Sequence, residues 1–565
     1  MKVQKDIQIP LSDGSVLFAN LFSPDQTGTY PVMISFGVYG KDIHFEDGFN
    51  PQWLKLKEIY PELDQNGSSG EFLRWEVPDP ERWIPDGYVL LVVDSRGSGK
   101  SPGYLDIYSP RETQDYNEAI EWAGTQSWSN GKVGLIGVSY LAIKQWQVAA
   151  LNPPHLAAII PWEGAADHYR DTLRHGGILS NTFTEAWWPR QVLMNQCGNG
   201  ETIHRDRQTQ RRTTGEPLSA SALKGNRNDY PREMVQREFW DEWFQDKSPR
   251  LARIQVPILS AANWGGPGMH LRGNFTGFME AGSKDKWLFA HIGTHYESFY
   301  LPQYVEIQKQ FFDRYLKGIN NQWERRSPVQ LAIRDVHGGA QIRTENEWPL
   351  ARTAWTSYLL DASSLSMSDK ESGGNAAVSF EALGDGLDFR LPAFERETEF
   401  TGPASLKIWV SSSTEDVDLF VTLRCFAPSG DEVTFIGAHE RVPVANGWLR
   451  ASHRKLNDKK SLPYQPYHSH DEKQPLRPNA VYELHVEILP TSLVFPAGYQ
   501  LVLTLTGKDF VVAPPGRILH NHPLDRPPEI FGGTTTIHTG PDYPSRLLMP
   551  LIGGGGDEIG PNKSA

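Results

Sequence analysis

Cysteine is scarce in this chain of 565 residues, which contains only Cys197 and Cys425. Two thiols this far apart exclude a disulfide scaffold and fit a reducing compartment. Long apolar runs are missing too. No run approaches the roughly 20 residues that a membrane-crossing helix needs, and the N-terminal segment lacks the apolar stretch of a secretory signal. The sequence therefore predicts a cytoplasmic protein with no membrane partner.

Positive charge is in deficit. The chain has 55 Lys and Arg against 68 Asp and Glu, which gives a formal net charge of −13 at pH 7. A nucleic-acid partner requires a basic surface that neutralises phosphates, so this balance argues against one. With 39% hydrophobic and 22% charged residues, the composition excludes a disordered chain and favours a globular protein.

Motifs for metals and cofactors are also missing. The chain has no HExxH or CxxC pattern. Two His-x-His pairs, at 468–470 and 520–522, have a spacing that would suit a metal, but we predict that they lie in surface loops. The loop GSGKS at 97–101 follows a strand, yet Asp94 stands where a phosphate-binding loop needs its first glycine. We therefore expect neither a metal nor any other cofactor.

Apolar strands alternating with helices are what the first 160 residues do contain, and the pattern resumes after about 255. One helix begins with a capping box, with Ser109 as N-cap, Pro110 at the first position and Glu112 at the third. Near-continuous apolar strands separated by helices predict a parallel sheet that is covered on both faces. The apolar runs are PVMISF, GYVLLVVD, GKVGLIGV, LAAIIPW, VPILSAANW and KWLFAHI.

Two regions depart from this pattern. Residues 165–250 are polar with charged helical stretches, which predicts a mostly helical insertion. After about 350 the helical period disappears and apolar residues alternate with polar ones, as in YELHVEI at 482–488. Period two over several runs, with Pro and Gly turns between them, predicts an antiparallel sandwich or jelly roll.

The strongest motif is Gly137-Val138-Ser139-Tyr140, which stands between a strand and a helix. A nucleophile elbow needs a serine in such a tight turn, so that its hydroxyl projects above the sheet and the next amide faces an oxyanion. Leu141 stands where the usual second glycine would be, so a structural serine remains the alternative. A nucleophilic serine needs a base, and His295 follows a late strand in the chain order that such folds use.

At this point the chain resembles the cocaine-esterase-like serine hydrolases, which are related to α-amino-acid ester hydrolases and Xaa-Pro dipeptidyl-peptidases. The resemblance spans nearly the whole chain. It implies an α/β-hydrolase core with a helical cap and a C-terminal jelly roll, in agreement with the patterns above. The strings that carry it are VVDSRGSGKSPG, IEWAGTQSWSNGKVGLIGVSY, QWQVAALNPPHLAAIIP, GWLRASHRKL and EILPTSLVFPAGYQL.

The patterns and the resemblance together predict an α/β plus β fold that divides into five segments. The segments are 1–164 for the first part of the hydrolase core, 165–250 for the cap, 251–350 for the second part of the core, 351–552 for the jelly-roll β-sandwich and 553–565 for a flexible tail.

The resemblance also assigns roles to residues. Ser139 matches the nucleophile and His295 the base. Tyr39, in GVYGK, matches the tyrosine whose hydroxyl helps to form the oxyanion hole, with packing in the core as the alternative. The second donor would be the backbone amide of Tyr140. Three cap tryptophans either line an acyl pocket or pack the cap onto the core: Trp187, Trp188 and Trp240.

The sequence departs from the family at the catalytic acid. The family places an Asp just after a Gly-Trp pair at the end of the next-to-last core strand. The stretch at 263–267 reads Asn-Trp-Gly-Gly-Pro, and the matching position is Gly266. The acid accepts the Nδ1 proton of the base and stabilises the imidazolium, so another carboxylate can take its place.

Glu163 is our candidate for that carboxylate. It ends the strand that follows the elbow helix, and this end of the strand faces the same loops as Ser139. Asp167 is the second choice. Glu297 is so close in sequence to the base that its geometry for bonding back is poor, and Asp285 lies at the wrong end of its strand.

The predicted function is hydrolysis of carboxylic esters through an acyl-enzyme on Ser139. An amidase or an Xaa-Pro dipeptidyl-peptidase with the same machinery is one alternative. A non-catalytic binding protein of hydrolase ancestry, motivated by the missing Asp, is the other. The expected partner is a small-molecule ester or amide, and a homo-oligomer is plausible for this family.

Overall fold

The computed structural model describes residues 1–370, 374–438, 441–512 and 518–553. Its N-terminal part is built on a ten-stranded sheet with the order β1-β2-β4-β3-β5-β6-β9-β10-β11-β12, and β7 and β8 form a separate small hairpin. The strands are β1 (Lys2–Pro10), β2 (Val16–Ser23), β3 (Tyr30–Gly37), β4 (Val89–Asp94), β5 (Ser129–Val138), β6 (Leu156–Trp162), β7 (Arg174–His175), β8 (Ile178–Leu179), β9 (Ile258–Asn263), β10 (Lys286–His291), β11 (Val329–Arg334) and β12 (Ala340–Glu345).

From β4 to β11 all neighbouring strands are parallel, whereas the pairs at the two edges are antiparallel. This confirms the parallel sheet that the sequence predicts. The helices are α1 (Phe45–Gly48), α2 (Asn50–Ile59), α3 (Pro80–Trp83), α4 (Pro110–Gly124), α5 (Tyr140–Ala149), α6 (Thr182–Trp187), α7 (Ala220–Gly225), α8 (Tyr230–Gln236), α9 (Glu242–Asp246), α10 (Leu271–Glu280), α11 (Glu297–Tyr300), α12 (Pro302–Phe312) and α13 (Pro528–Phe531).

Helix α4 begins where its capping box predicts. The Ser109 hydroxyl accepts a hydrogen bond from the Glu112 amide at 3.2 Å. The Glu112 side chain reaches back one residue further than the usual box, because one carboxylate oxygen accepts from the amide of Tyr108 at 2.7 Å. Its other oxygen accepts from the Tyr140 hydroxyl at 2.6 Å. The cap therefore also holds the first residue of α5 in place.

The parallel strands bring five loops to one edge of the sheet. Because the carboxyl ends of parallel strands lie at the same edge, the loops that follow β3, β5, β6, β9 and β10 collect there. The strands themselves are buried almost throughout, as runs covered on both faces must be. Polar side chains that follow these strands are thus held close together above a rigid core.

Residues 165–250 fold into short helices joined by irregular segments. Besides α6 to α9, two π-helical turns span His168–Leu173 and Trp188–Val192. Aromatic side chains supply much of the packing here: Trp188 stacks on Tyr230 with 5.5 Å between ring centroids, and Trp240 stacks on Phe244 at 6.3 Å.

The C-terminal part is a twelve-stranded, mainly antiparallel sheet that closes on itself, because β17 pairs with β23, β25 and β26. It therefore forms a β-barrel or sandwich domain. Its strands are β13 (Thr353–Asp361), β14 (Ser366–Ser368), β15 (Ala376–Glu381), β16 (Leu387–Arg390), β17 (Thr398–Ser412), β18 (Asp418–Phe426), β19 (Glu432–Val433), β22 (Ala445–Arg450), β23 (Tyr482–Phe495), β24 (Gln500–Thr506), β25 (Thr534–Thr539) and β26 (Arg546–Ile552), with β20 (Phe435–Ile436) and β21 (Arg441–Val442) paired outside it.

The alternation predicted for β23 is confirmed, since Leu484, Val486 and Ile488 are buried in the core of this domain. The predicted tail at 553–565 lies, from residue 554 onward, outside the described residues. Both Cys197 and Cys425 are free thiols. Among the described residues, every helix is too short or too polar to span a bilayer.

The prediction of surface loops for the two His-x-His pairs is wrong for His468, His470 and His520. All three are buried, with at most 5% of each side chain exposed. They lie where the C-terminal domain packs against residues 165–250: His520 contacts His175 at 2.8 Å, and the His470 carbonyl accepts from the Trp240 amide. Burial between two domains produces no periodic pattern of apolar residues, so the sequence gives no sign of it.

Candidate active site

Ser139 lies at the sharp turn between β5 and α5. Its backbone has φ 57° and ψ −114°, a conformation in which L-residues are strained. Gly137, with φ 151°, precedes the turn, and a Cβ there would lie 2.6 Å from Leu141 Cβ, so only glycine fits. Leu141 is accommodated where the usual second glycine would stand because its side chain packs over Gly37. The turn thus aims the Ser139 hydroxyl above the sheet although the motif is imperfect.

A hydrogen bond joins the Ser139 hydroxyl to His270, which is not the histidine predicted as the base. Ser139 Oγ and His270 Nε2 are 3.1 Å apart, and both residues are buried. His270 stands at the N-cap position of α10, four residues after Gly266. Sequence reasoning missed this histidine, because it assigned the base to His295 alone.

His295 and Glu163 form a buried pair directly beside this contact. Glu163 Oε2 lies 2.8 Å from His295 Nδ1, which therefore donates to it. The second carboxylate oxygen of Glu163 accepts from the side-chain amide of Asn263 at 3.2 Å. The same Nδ2 group also donates to the Gly293 carbonyl. Glu163 itself adopts φ 52°, so the backbone is bent to present the carboxylate to the imidazole. The structure thus brings together the two residues that the sequence paired.

Glu76 is a carboxyl group that the sequence did not reveal. Its Oε1 lies 3.1 Å from His295 Nε2, on the opposite side of the ring from Glu163. Burial raises the pKa of Glu76 to about 7, although its hydrogen bond with His295 opposes the shift. Burial also opposes a charge on His295, but the two carboxylates more than compensate and raise its pKa to about 10. Glu76 follows no strand of the sheet, so no pattern identifies it.

Two hydrogen-bond donors lie near the serine. The Tyr39 hydroxyl accepts from the Trp187 indole at 3.2 Å. Burial raises the pKa of Tyr39 well above its ordinary value, although hydrogen bonds with Trp187 and Ser139 oppose the shift, so the hydroxyl keeps its proton. The amide of Tyr140 is the first of α5 and has no acceptor within its own helix. The Tyr39 hydroxyl thus has a proton to donate beside Ser139, and the Tyr140 amide directly follows the serine in the chain.

The other carboxylates that the sequence offered lie elsewhere. Asp167 binds Arg170 through an ion pair of 2.8 Å and caps the following turn. Glu297 accepts from the Thr294 hydroxyl at 2.8 Å. At Gly266, the position where the resemblance implies an Asp, a Cβ would lie 3.3 Å from the Asn263 carbonyl and farther from its other neighbours. Glu163 is therefore the carboxylate that takes the place beside Nδ1 of His295.

Glu163, His270 and His295 have a spacing that metal ligands also show, because one donor atom of each lies within 4.8 Å of the others. The geometry does not suit an ion. The two imidazoles stack with 4.7 Å between centroids and 11° between planes, so their nitrogen lone pairs lie in two separate, nearly parallel planes. They do not converge on one point about 2.1 Å from each nitrogen. The arrangement is that of hydrogen-bonded side chains.

A cleft opens beside His270, between the N-terminal part that carries the ten-stranded sheet and the C-terminal domain. The backbone of Ala438 joins the two parts, because it accepts from the His295 amide at 3.0 Å and donates to the Gly265 carbonyl at 2.7 Å. The cleft is lined, among others, by Gly265, Gly266, His270, Phe420, Trp448 and Val512.

Within the described chain, the lining of this cleft includes none of the three predicted tryptophans. Trp188 and Trp240 stack on neighbouring aromatic rings of the same segment.

Family comparisons agree with this architecture over both parts of the chain. The family model for "X-Pro dipeptidyl-peptidase (S15 family)" matches residues 13–297. The description "X-Pro dipeptidyl-peptidase C-terminal non-catalytic domain" matches residues 321–548. The first match contains the serine turn together with Glu76, Glu163, His270 and His295.

Individual relatives cover nearly the whole chain. A CocE/NonD family hydrolase from Staphylococcus aureus is 33% identical, with a TM-score of 0.85 over 98% of this chain and 93% of that one. The cocaine esterase of Rhodococcus sp. (strain MB1 Bresler) is 24% identical over 97% of this chain and 98% of its own. An α-amino-acid ester hydrolase is 14% identical with a TM-score of 0.69, covers 97% of this chain and 96% of its own, and shares the fold.

Proposed function

Because this chain belongs to the X-Pro dipeptidyl-peptidase (S15) family, whose members are serine hydrolases, we propose that it hydrolyses carboxylic esters through an acyl-enzyme on Ser139. The observation that carries the proposal is a strained serine in contact with a buried imidazole, beside the buried pair of His295 and Glu163. The similarity to a cocaine esterase supports an ester as the substrate. Family membership also favours an enzyme over a non-catalytic binding protein.

In this mechanism the Ser139 oxygen attacks the ester carbonyl while an imidazole takes the hydroxyl proton. His295 is the proposed base, and Glu163 holds its Nδ1 proton and stabilises the imidazolium. The oxyanion accepts hydrogen bonds from the Tyr39 hydroxyl and the Tyr140 amide. Collapse of the tetrahedral intermediate expels the alkoxide, which takes the proton from the imidazole. Water then attacks the acyl-enzyme by the same route in reverse.

A dipeptidyl-peptidase is the second candidate, and Glu76 favours it. The Oε2 atom of Glu76 is buried and has no hydrogen-bond partner within the described residues. A peptidase that removes N-terminal dipeptides needs a carboxylate near the cleft to pair with the substrate ammonium. Ester hydrolysis remains the first proposal, since Glu76 is already engaged with His295.

The test is a comparison of two substrate classes. We expect p-nitrophenyl esters of short acyl chains and benzoyl esters to be cleaved with a higher kcat/KM than Xaa-Pro p-nitroanilides. Ser139→Ala is the blank for both series. A higher kcat/KM on the anilides would replace the esterase proposal with the peptidase one.

Loss of the Tyr39 hydroxyl is expected to slow acylation. Tyr39→Phe keeps the ring but removes one donor from the oxyanion, which typically lowers kcat by about 10²–10³-fold. KM should change little, because the hydrogen bond forms mainly in the transition state. Steady-state kinetics on the best ester measure both constants.

Trp187→Phe is the matched control for this experiment. It removes only the indole bond to the Tyr39 hydroxyl, so the loss should be about tenfold or less. Equal losses in the two variants would show that Tyr39 acts by packing and not as a donor.

The finer architecture and the assembly are also part of the proposal. We take residues 165–250 as a cap over the cleft and residues 351–552 as a jelly roll that walls it from the other side. The hydrogen bonds of Ala438 to the His295 and Gly265 backbones support such a wall. A homo-oligomer remains a prediction.

A further inference from the structure

Two imidazoles, and not one, stand beside the nucleophile. His270 Nε2 is 3.1 Å from Ser139 Oγ, within the reach of a general base. Its ring stacks on that of His295 with 4.7 Å between centroids. The donor atoms of His270, His295 and Glu163 lie within 4.8 Å of one another. A proton on any of these groups therefore affects the others directly.

His295 is held in its charged form by its neighbours. Nδ1 faces an oxygen of Glu163 at 2.8 Å and Nε2 faces an oxygen of Glu76 at 3.1 Å. A carboxylate only accepts hydrogen bonds, so both ring nitrogens donate when both glutamates are ionised. An imidazolium cannot take the serine proton. His295 becomes a base only when its own proton has left the ring, which a pKa of about 10 delays to high pH.

His270 has the opposite surroundings. It stands at the N-terminus of the ten-residue helix α10, where the unpaired amides carry partial positive charge. The stacked His295 ring adds a full positive charge on one face whenever it is protonated. Both effects disfavour a second cation, whereas the Glu163 carboxylate within 4.8 Å acts in the opposite sense. A neutral His270 accepts from the Ser139 hydroxyl through Nε2.

We propose that His270 is a second catalytic base, which accepts the Ser139 proton while His295 is still charged. The inference rests on the acyl-enzyme mechanism proposed above. As the bond from Ser139 Oγ to the carbonyl carbon forms, the Oγ–H bond breaks and its proton moves to His270 Nε2. The π electrons of the carbonyl move to its oxygen. When the intermediate collapses, the departing alkoxide takes this proton and leaves as the alcohol.

The test is the rate at which a fluorophosphonate labels Ser139 between pH 6 and 9. The variants are His270→Asn, His295→Asn and the double variant. We expect His270→Asn to slow labelling by about 10²-fold at pH 6 to 7, in the range that a general base contributes, and by less at pH 9, where a larger fraction of His295 is neutral. His295→Asn should keep more activity near neutral pH than the double variant does.

A rescue separates a catalytic from a structural role. In the His270→Asn background, Glu76→Gln removes one carboxylate from His295 and so lowers the pKa of that imidazole. The neutral base then appears at lower pH, and labelling at pH 7 should recover in part. A loss of packing at position 270 would not be repaired by this change. His270→Gln serves as a second variant if His270→Asn does not fold.

His44→Asn is the control for substitution of a buried histidine. His44 bonds to the Gly70 carbonyl and the Glu46 amide and caps α1. The inference is overturned if folded His270→Asn labels like the wild type at every pH, or if His295→Asn and the double variant are equally slow. Failure of the wild type to label at Ser139 would instead overturn the proposed function.

Discussion

Ser139→Ala is expected to lower kcat for ester hydrolysis by about 10⁶-fold, the loss seen when the nucleophile of a serine hydrolase is removed. The hydroxyl is the one side-chain group that bonds to the acyl carbon in the proposed mechanism, so no neighbouring side chain replaces it. Alanine suits the site because the strained backbone at φ 57° admits it as readily as serine. Steady-state hydrolysis of the best ester, with a thermal melt to verify folding, measures the effect.

The melt also reports on the turn itself. Ser139 makes no side-chain cap bond to α5, so the variant should melt within a few degrees of the wild type. A folded Ser139→Ala that retained wild-type kcat would show that the hydrolysis uses another nucleophile, and the proposed acyl-enzyme would have to be abandoned.

Glu163→Gln is expected to have the second largest effect, a fall in kcat of about 10³–10⁴-fold. The amide keeps the shape of the side chain and its contact with Asn263, but its NH₂ group faces Nδ1 of His295 where an acceptor is needed. The imidazole then takes the wrong tautomer and its charged form loses its partner. KM should change by far less, because the carboxylate does not face the cleft.

Glu297→Gln is the matched control for this prediction. It makes the same chemical change two residues after His295, at a carboxylate that accepts from Thr294. We expect kcat close to that of the wild type. If Glu297→Gln lost as much activity as Glu163→Gln, or if Glu163→Gln kept it, the acid would have to be sought elsewhere.

The sheet and the serine turn could be predicted because short-range physics dictates them. Continuous apolar runs between helices specify parallel strands, and the strands after the turn end at one edge by topology alone. Glu163 could be found in the same way, since it directly follows β6. Its bond to His295 is a consequence of two neighbouring strands ending beside each other.

Glu76 and His270 could not be predicted, for different physical reasons. Glu76 lies in an irregular segment before α3, and only the tertiary fold brings it to His295, which is 219 residues away. His270 does follow core strand β9, but the resemblance implied a catalytic Asp at position 266 and gave no role to a histidine four residues later. The Gly266 carbonyl accepts from the Leu271 amide, so the loop folds back on itself. This turn places His270 beside Ser139.

The buried histidines at 468, 470 and 520 show the same limit. Their burial depends on contact between the C-terminal domain and residues 165–250, two segments far apart in the chain. A local pattern carries information on the faces of single strands and helices. It carries none on which irregular loops two domains bury between them.

The most direct test of the account is labelling of the wild-type protein with a fluorophosphonate at pH 6 to 9, followed by intact mass and peptide mapping. The account predicts a single adduct, on Ser139, that forms faster as pH rises, because His295 loses its proton and adds a second neutral imidazole to that of His270. A protein that is folded by its melt and yet takes no adduct, or takes one on a different residue, would contradict it.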